Sequence, residues 1–117
     1  MRHWYKVAKA VRKEMDPTGK ETLVGSCGEW SASVAQSLAF DEGYKDVTIV
    51  SNMQHQFVYV DEHFIDGTLT QFYRGVPTVK VCHFRDYLSS LILFPEWEIT
   101  EAEAIYRDGT RNILYER

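Results

Sequence analysis

Three side chains in the middle of the chain have the types and the order that thiol chemistry needs. Cys27 stands in the run Gly25-Ser26-Cys27-Gly28-Glu29-Trp30, His55 opens an alternating segment, and Asp66 closes the next one. A thiol becomes a useful nucleophile when a histidine takes its proton and a third polar group fixes the tautomer of that histidine. Cys27, His55 and Asp66 can fill those roles as nucleophile, as general base and then acid, and as orienting group. Each also has a plainer reading: a small buried hydrophobe, a polar strand-edge residue, a turn former before Gly67. Those readings lose ground when the three are taken together. The cysteine opens a helix framed by glycines, and the other two can share one face of a sheet.

The elements that must position them follow from periodicity and turn chemistry. Ser26 and Glu29 have the spacing of a capping box and start a helix over about 27–40. This puts Cys27 in its first turn, where unpaired N–H groups and the helix dipole favour a thiolate. Trp30, Val34, Ala35, Leu38 and Ala39 make its apolar stripe, and Gly43 suits the left-handed position past its end. The β-branched run 47–50 reads as a strand. Over 54–60, alternation places His55, Phe57 and Tyr59 on one face and Gln54, Gln56, Val58 and Val60 on the other. With Asp61-Glu62 as a two-residue turn, Val60 pairs with His63 and Asp66 falls opposite Phe57, on the face of His55. A loop longer or shorter by one residue turns Asp66 to the far face.

The flanks support this core. Trp4, Val7, Ala8, Val11 and Met15 have helical spacing over about 3–14, with Lys6, Lys9, Arg12, Lys13 and Glu14 as the solvated face. Asp16-Pro17-Thr18-Gly19 ends that helix. Residues 78–83 read as a strand, 84–93 as a short helix stopped by Pro95, and 106–111 as an Asp-Gly hairpin. The stretch 98–104 is open between helix and strand. The expected fold is α+β, with a helix that carries Cys27 at its start packed on an antiparallel sheet. It forms one domain over 1–117, with its core at about 22–72, the helix 3–14 before it and additions over 78–115 after it.

Composition narrows the function classes. The chain has 117 residues, 44% hydrophobic and 26% charged, with a formal net charge of −4, which is ordinary for a single soluble domain. An acidic balance argues against nucleic acid as a partner. The N-terminus offers no apolar stretch for a signal peptide or a span, so a cytoplasmic protein without a membrane role is expected, with delivery into another cell by a non-classical route as the variant. Cys27 and Cys82 are then expected as thiols rather than a disulfide. Nucleotide, dinucleotide and common zinc motifs are lacking, and no cofactor is expected. A zinc site on Cys27, His55 and Asp66 matches no common ligand spacing. His63 is expected to face solvent, and Cys82 is open between core and surface.

The run Gly25 to Trp30 with its apolar helix, then His55-Gln56-Phe57-Val58, then Phe64-Ile65-Asp66-Gly67-Thr68 followed by Gln71-Phe72, resembles the papain-like and transglutaminase-like cysteine hydrolases. It is most similar to their compact versions in bacterial toxins and effectors, over about residues 22–72. The resemblance implies Cys27 as nucleophile, His55 as base and acid, and Asp66 as orienting residue. Papain-type enzymes carry a glutamine shortly before the cysteine, where this chain has Glu21. The backbone N–H of Cys27 is the oxyanion donor implied, with Trp30, Gln54 and Gln56 as further oxyanion or substrate candidates. The activity implied is hydrolysis of an amide bond in a protein or peptide, as a cysteine protease. Deamidase, transglutaminase and acyltransferase chemistry pass through the same thioester. An inhibitor or interaction protein on the same fold is the non-catalytic alternative.

Overall fold

The computed structural model describes residues 2–52, 55–86 and 99–117. Helix α1 spans His3–Met15, and helix α2 spans Cys27–Gln36 and continues as a π turn over Ser37–Asp41. Strands follow at Thr48–Ser51 (β1), Gln56–Val60 (β2), His63–Asp66 (β3), Lys80–His83 (β4), Glu101–Ile105 (β5) and Arg111–Glu116 (β6). They form one six-stranded sheet in the order β4-β3-β2-β1-β5-β6, antiparallel at every contact. The open stretch 98–104 therefore contributes a strand, paired with β1 on one side and β6 on the other. The Asp-Gly hairpin closes with Gly109 at φ 87° and Asp108 accepting the Thr110 N–H. Of the helix expected over 84–93, Phe84–Asp86 form a short 3₁₀ turn and the remainder lies outside the described residues.

The α2 stripe is the centre of the core. Trp30, Val34, Ala35, Leu38 and Ala39 are fully buried in one cluster with Ile49, Val58, Val60 and Ile65 of the sheet. The expected helix end is found: Gly43 is left-handed at φ 73°, and the Tyr44 N–H reaches back to the Leu38 carbonyl at 3.0 Å. The expected helix start is not. The Ser26 side chain makes no capping hydrogen bond, so no capping box forms. A turn holds that end instead, with Leu23 and Gly25 both left-handed at φ 58° and 78° and the Ser26 N–H donating to the Leu23 carbonyl at 3.0 Å. Left-handed backbone is costly for a leucine, so the approach to Cys27 carries local strain.

Helix α1 docks through Trp4 and Ala8, as its periodicity predicts, but Arg12 corrects the expected solvated face. Arg12 is only 4% exposed. Its guanidinium meets Asp16 one turn on and the carbonyls of Gly67 and Glu21, so its charge is matched inside the protein rather than by water. Among the described residues no helix is long and apolar enough to cross a membrane.

Candidate active site

The β2–β3 hairpin decides where Asp66 goes. Asp61 and Glu62 sit at φ 50° and 63°, the conformation of a two-residue type I′ turn, and Val60 pairs with His63, Tyr59 with Phe64 and Val58 with Ile65. That register carries on to Phe57 opposite Asp66, the parity that turns Asp66 toward His55. The Nε2–H of His55 donates to Asp66 Oδ2 at 2.5 Å. The other carboxylate oxygen accepts the Thr68 N–H at 3.0 Å, so Asp66 is held from both sides. His55 lies one residue before β2, in the turn from β1. Its own N–H donates to Asn52 Oδ1 at 2.7 Å, and its carbonyl accepts the Asn52 N–H at 2.9 Å.

Cys27 begins α2 and is half-buried beside His55. The side chains of Cys27 and His55 are hydrogen-bonded, and the N–H groups of Gln56 and Gly28 point at the sulfur. With Nε2 occupied by Asp66, Nδ1 is the ring nitrogen left to face the sulfur. The hydrogen bond with His55 is the largest influence on the thiol; with the two backbone donors it outweighs burial and holds the Cys27 pKa below the usual thiol range. His55 is 2% exposed. That burial disfavours the imidazolium, yet the bonds to Asp66 and Cys27 overcome it and raise the His55 pKa to about 9. Both shifts favour the charged forms, a thiolate beside an imidazolium.

Two buried contacts support these side chains from behind. A methyl group at Gly67 would lie 2.1 Å from the Trp30 ring, so only glycine lets the turn after Asp66 lie flat on the indole. Trp30, expected among the substrate candidates, is 0% exposed and part of the core, where it lies against the turn after Asp66. The second contact is Arg12, whose Nη1 donates to the Gly67 carbonyl at 2.7 Å and to Thr70 Oγ1 at 3.2 Å, and whose Nη2 donates to the Glu21 carbonyl at 2.6 Å. The segment leading into Cys27 and the segment leaving Asp66 are thereby tied to one guanidinium. Thr70 adds a bond to the Thr22 carbonyl at 3.1 Å.

Gln56 is at the site, although alternation put it on the opposite face from His55. Its N–H serves the sulfur, and a methyl group at Gly28 would stand 3.3 Å from its Oε1, so the glycine makes room for the amide over the helix start. Gln54 lies outside the described residues. Gln71 is also at the site, a residue that spacing alone does not single out. Its side chain touches His55, Thr68 and the Gly25 N–H at once. The remaining chemistry-bearing residues lie elsewhere. His63 packs its ring on Trp4 and His83, at 4.9 and 5.0 Å, rather than facing solvent. Cys82 is half-buried opposite Phe64, its S–H donating to the His83 carbonyl at 3.2 Å. No disulfide joins the two cysteines. Among the described residues, no three His, Cys, Asp or Glu side chains are grouped to hold a metal ion. No family model, no curated protein and no solved structure matches this chain.

Proposed function

We propose that the protein is a thiol-dependent hydrolase acting on an amide bond of a protein or peptide, built on a compact papain-like core. The observation that carries this reading is the continuous path from the Cys27 sulfur through the His55 ring to the Asp66 carboxylate, with the sulfur at a helix start. The thiolate attacks the substrate carbonyl carbon, and the Cys27 N–H is the candidate donor to the developing oxyanion. The imidazolium gives its Nδ1 proton to the leaving amine as the C–N bond breaks, leaving a thioester. Neutral His55 then takes a proton from water, the hydroxide adds to the thioester, and the thiolate departs with a carboxylic acid as product. An amine in place of water makes the same site an acyltransferase or transglutaminase; a side-chain amide as substrate makes it a deamidase.

Labelling with iodoacetamide across pH tests the reading, with Cys82 as the internal control. Selective modification of Cys27 well below the pH at which Cys82 reacts is the expected result, together with hydrolysis of peptide thioesters that Cys27→Ala abolishes. Equal and slow labelling of both cysteines overturns the hydrolase and leaves an interaction protein on the same fold.

A further inference from the structure

The resting geometry around Gln71 raises a question of its own. Its Oε1 accepts the Gly25 N–H at 3.1 Å, and because a backbone N–H can only donate, this contact fixes which end of the amide is which. The Nε2 end then faces Thr68 Oγ1 at 3.2 Å and His55 Nδ1 at 3.5 Å. A closed ring of contacts results: His55 to Asp66, Asp66 to the Thr68 N–H, Thr68 to Gln71, and Gln71 back to His55. The same amide links the ring to the turn that leads into Cys27.

We propose that Gln71 is a positioning residue whose amide N–H favours the proton-accepting state of His55 Nδ1 and ties that nitrogen to the segment carrying Cys27. An N–H donor aimed at Nδ1 stabilises the ring while that nitrogen has a lone pair, and meets another donor once it is protonated. Gln71 therefore opposes the groups that favour the imidazolium. Those are Asp66 from the end of β3 and Cys27 from the start of α2; Phe57 and Phe72, whose rings pack on His55, carry no charge. The consequence rests on the hydrolase reading above: Asp66 acting alone would hold His55 as an imidazolium, which suits thiolate formation but not the later removal of a proton from water. A weak, long contact to Gln71 keeps both states within reach.

The test reads His55 directly. In the 117-residue chain carrying Cys27→Ala, so that the neighbouring thiolate does not contribute, the ring is titrated by NMR with Gln71 intact, with Gln71→Leu and with Gln71→Glu. Removal of the donor in Gln71→Leu is expected to raise the titration midpoint by about half a pH unit, and the carboxylate of Gln71→Glu, which still accepts the Gly25 N–H, by about one unit or more. An unchanged or lowered midpoint in Gln71→Glu overturns the proposal. So does a lowered midpoint in a folded Gln71→Leu, the result a merely structural role would give through loss of the Asp66 contact. Because Cys27 is absent, these outcomes are independent of whether the thiol is reactive, which the labelling experiment decides separately.

Discussion

Two buried ion pairs stand behind the same turn, and they have opposite characters. In the Arg12–Asp16 pair, 3.0 Å apart, almost every valence is used inside the protein. The guanidinium donates to two carbonyls and a hydroxyl as well as to Asp16, and Asp16 Oδ1 accepts the N–H groups of Lys20 and Glu21 at 3.1 and 3.0 Å. Burial pushes the Asp16 carboxyl up, but those N–H groups and Arg12 together hold it below the ordinary carboxylate range. Such a pair has no state to change near neutral pH. The His55–Asp66 pair is equally enclosed but uses only Nε2 of the ring and turns the other nitrogen toward a thiol. Enclosure is common to both; a proton that can move belongs to one.

The largest effect expected from this contrast is on the clamp. Arg12→Met leaves Asp16 buried without its counter-charge and releases the Gly67 and Glu21 carbonyls, so the unfolding midpoint should fall by about 10 °C or more. Replacing Asp16 with leucine in the same chain should restore part of that loss, since the orphaned charge is then gone. Thermal unfolding followed by circular dichroism reads both. A single variant as stable as the parent would mean that the two segments flanking the site are held by something other than Arg12.

Next is Asp66→Asn, which keeps the shape of the second pair and removes its charge. The imidazolium loses its main support, so half-maximal alkylation of Cys27 should move to higher pH, and hydrolysis should drop by about 10²-fold or more. The Arg12 variant should lose stability first and the Asp66 variant reactivity first. If Asp66→Asn labels with the parent's pH profile, the carboxylate is decoupled from the sulfur and the distinction between the pairs collapses.

A third and smaller effect separates the pair from the triad through the pH dependence of stability. In the parent the two shifts act in opposite senses: the raised His55 pKa, about 9 against 6.5 for a free histidine, makes the folded chain hold a proton the unfolded chain has released, and the lowered Cys27 pKa makes it release one the unfolded chain still holds. Where the folded thiol is ionised and His55 is still protonated, the two contributions offset each other and the pair leaves stability nearly independent of pH. Cys27→Ala removes the compensation. His55, still raised by Asp66, then binds a proton that the unfolded chain has released, so stability should decline as pH rises from 6.5 toward the folded pKa, by at most about 1.4 kcal/mol per pH unit. Urea unfolding of both proteins from pH 6 to 9 measures it, and parallel curves would show that no proton is transferred from the thiol on folding.

The difference between the pairs also marks what a sequence can show. Asp61-Glu62 is a local signal, and the two-residue turn it makes fixes the parity of β3, so the approach of Asp66 to His55 was legible without coordinates. The α2 stripe was legible for the same reason, since its period lies within one element. Arg12 was not: periodicity placed it with Lys9 and Lys13, and besides Asp16 and Thr70 its partners are backbone carbonyls 9 and 55 residues away, which no residue type announces. Gln71 escaped likewise, because its contacts converge from the Gly25 turn and His55 only once the sheet has closed. Trp30 has two readings in the sequence, as part of the apolar stripe of α2 and as a substrate candidate, and the stripe is where the structure places it.

The smallest predicted effect concerns the start of α2, where sequence and structure part. Ser26 and Glu29 have capping-box spacing, yet the hydroxyl makes no capping bond and the helix opens from the Leu23–Ser26 turn. Loss of a real cap costs about 1 kcal/mol, so Ser26→Ala should change stability by less than about 0.5 kcal/mol and leave the labelling profile of Cys27 in place. Gly25→Ala, by contrast, puts a side chain at φ 78° and should cost more than the serine, because the turn, not the cap, places the sulfur. If the order were reversed, the N–H groups at the start of α2 would depend on Ser26 after all, and the depressed pKa of Cys27 would have to be traced to the cap as well as to His55.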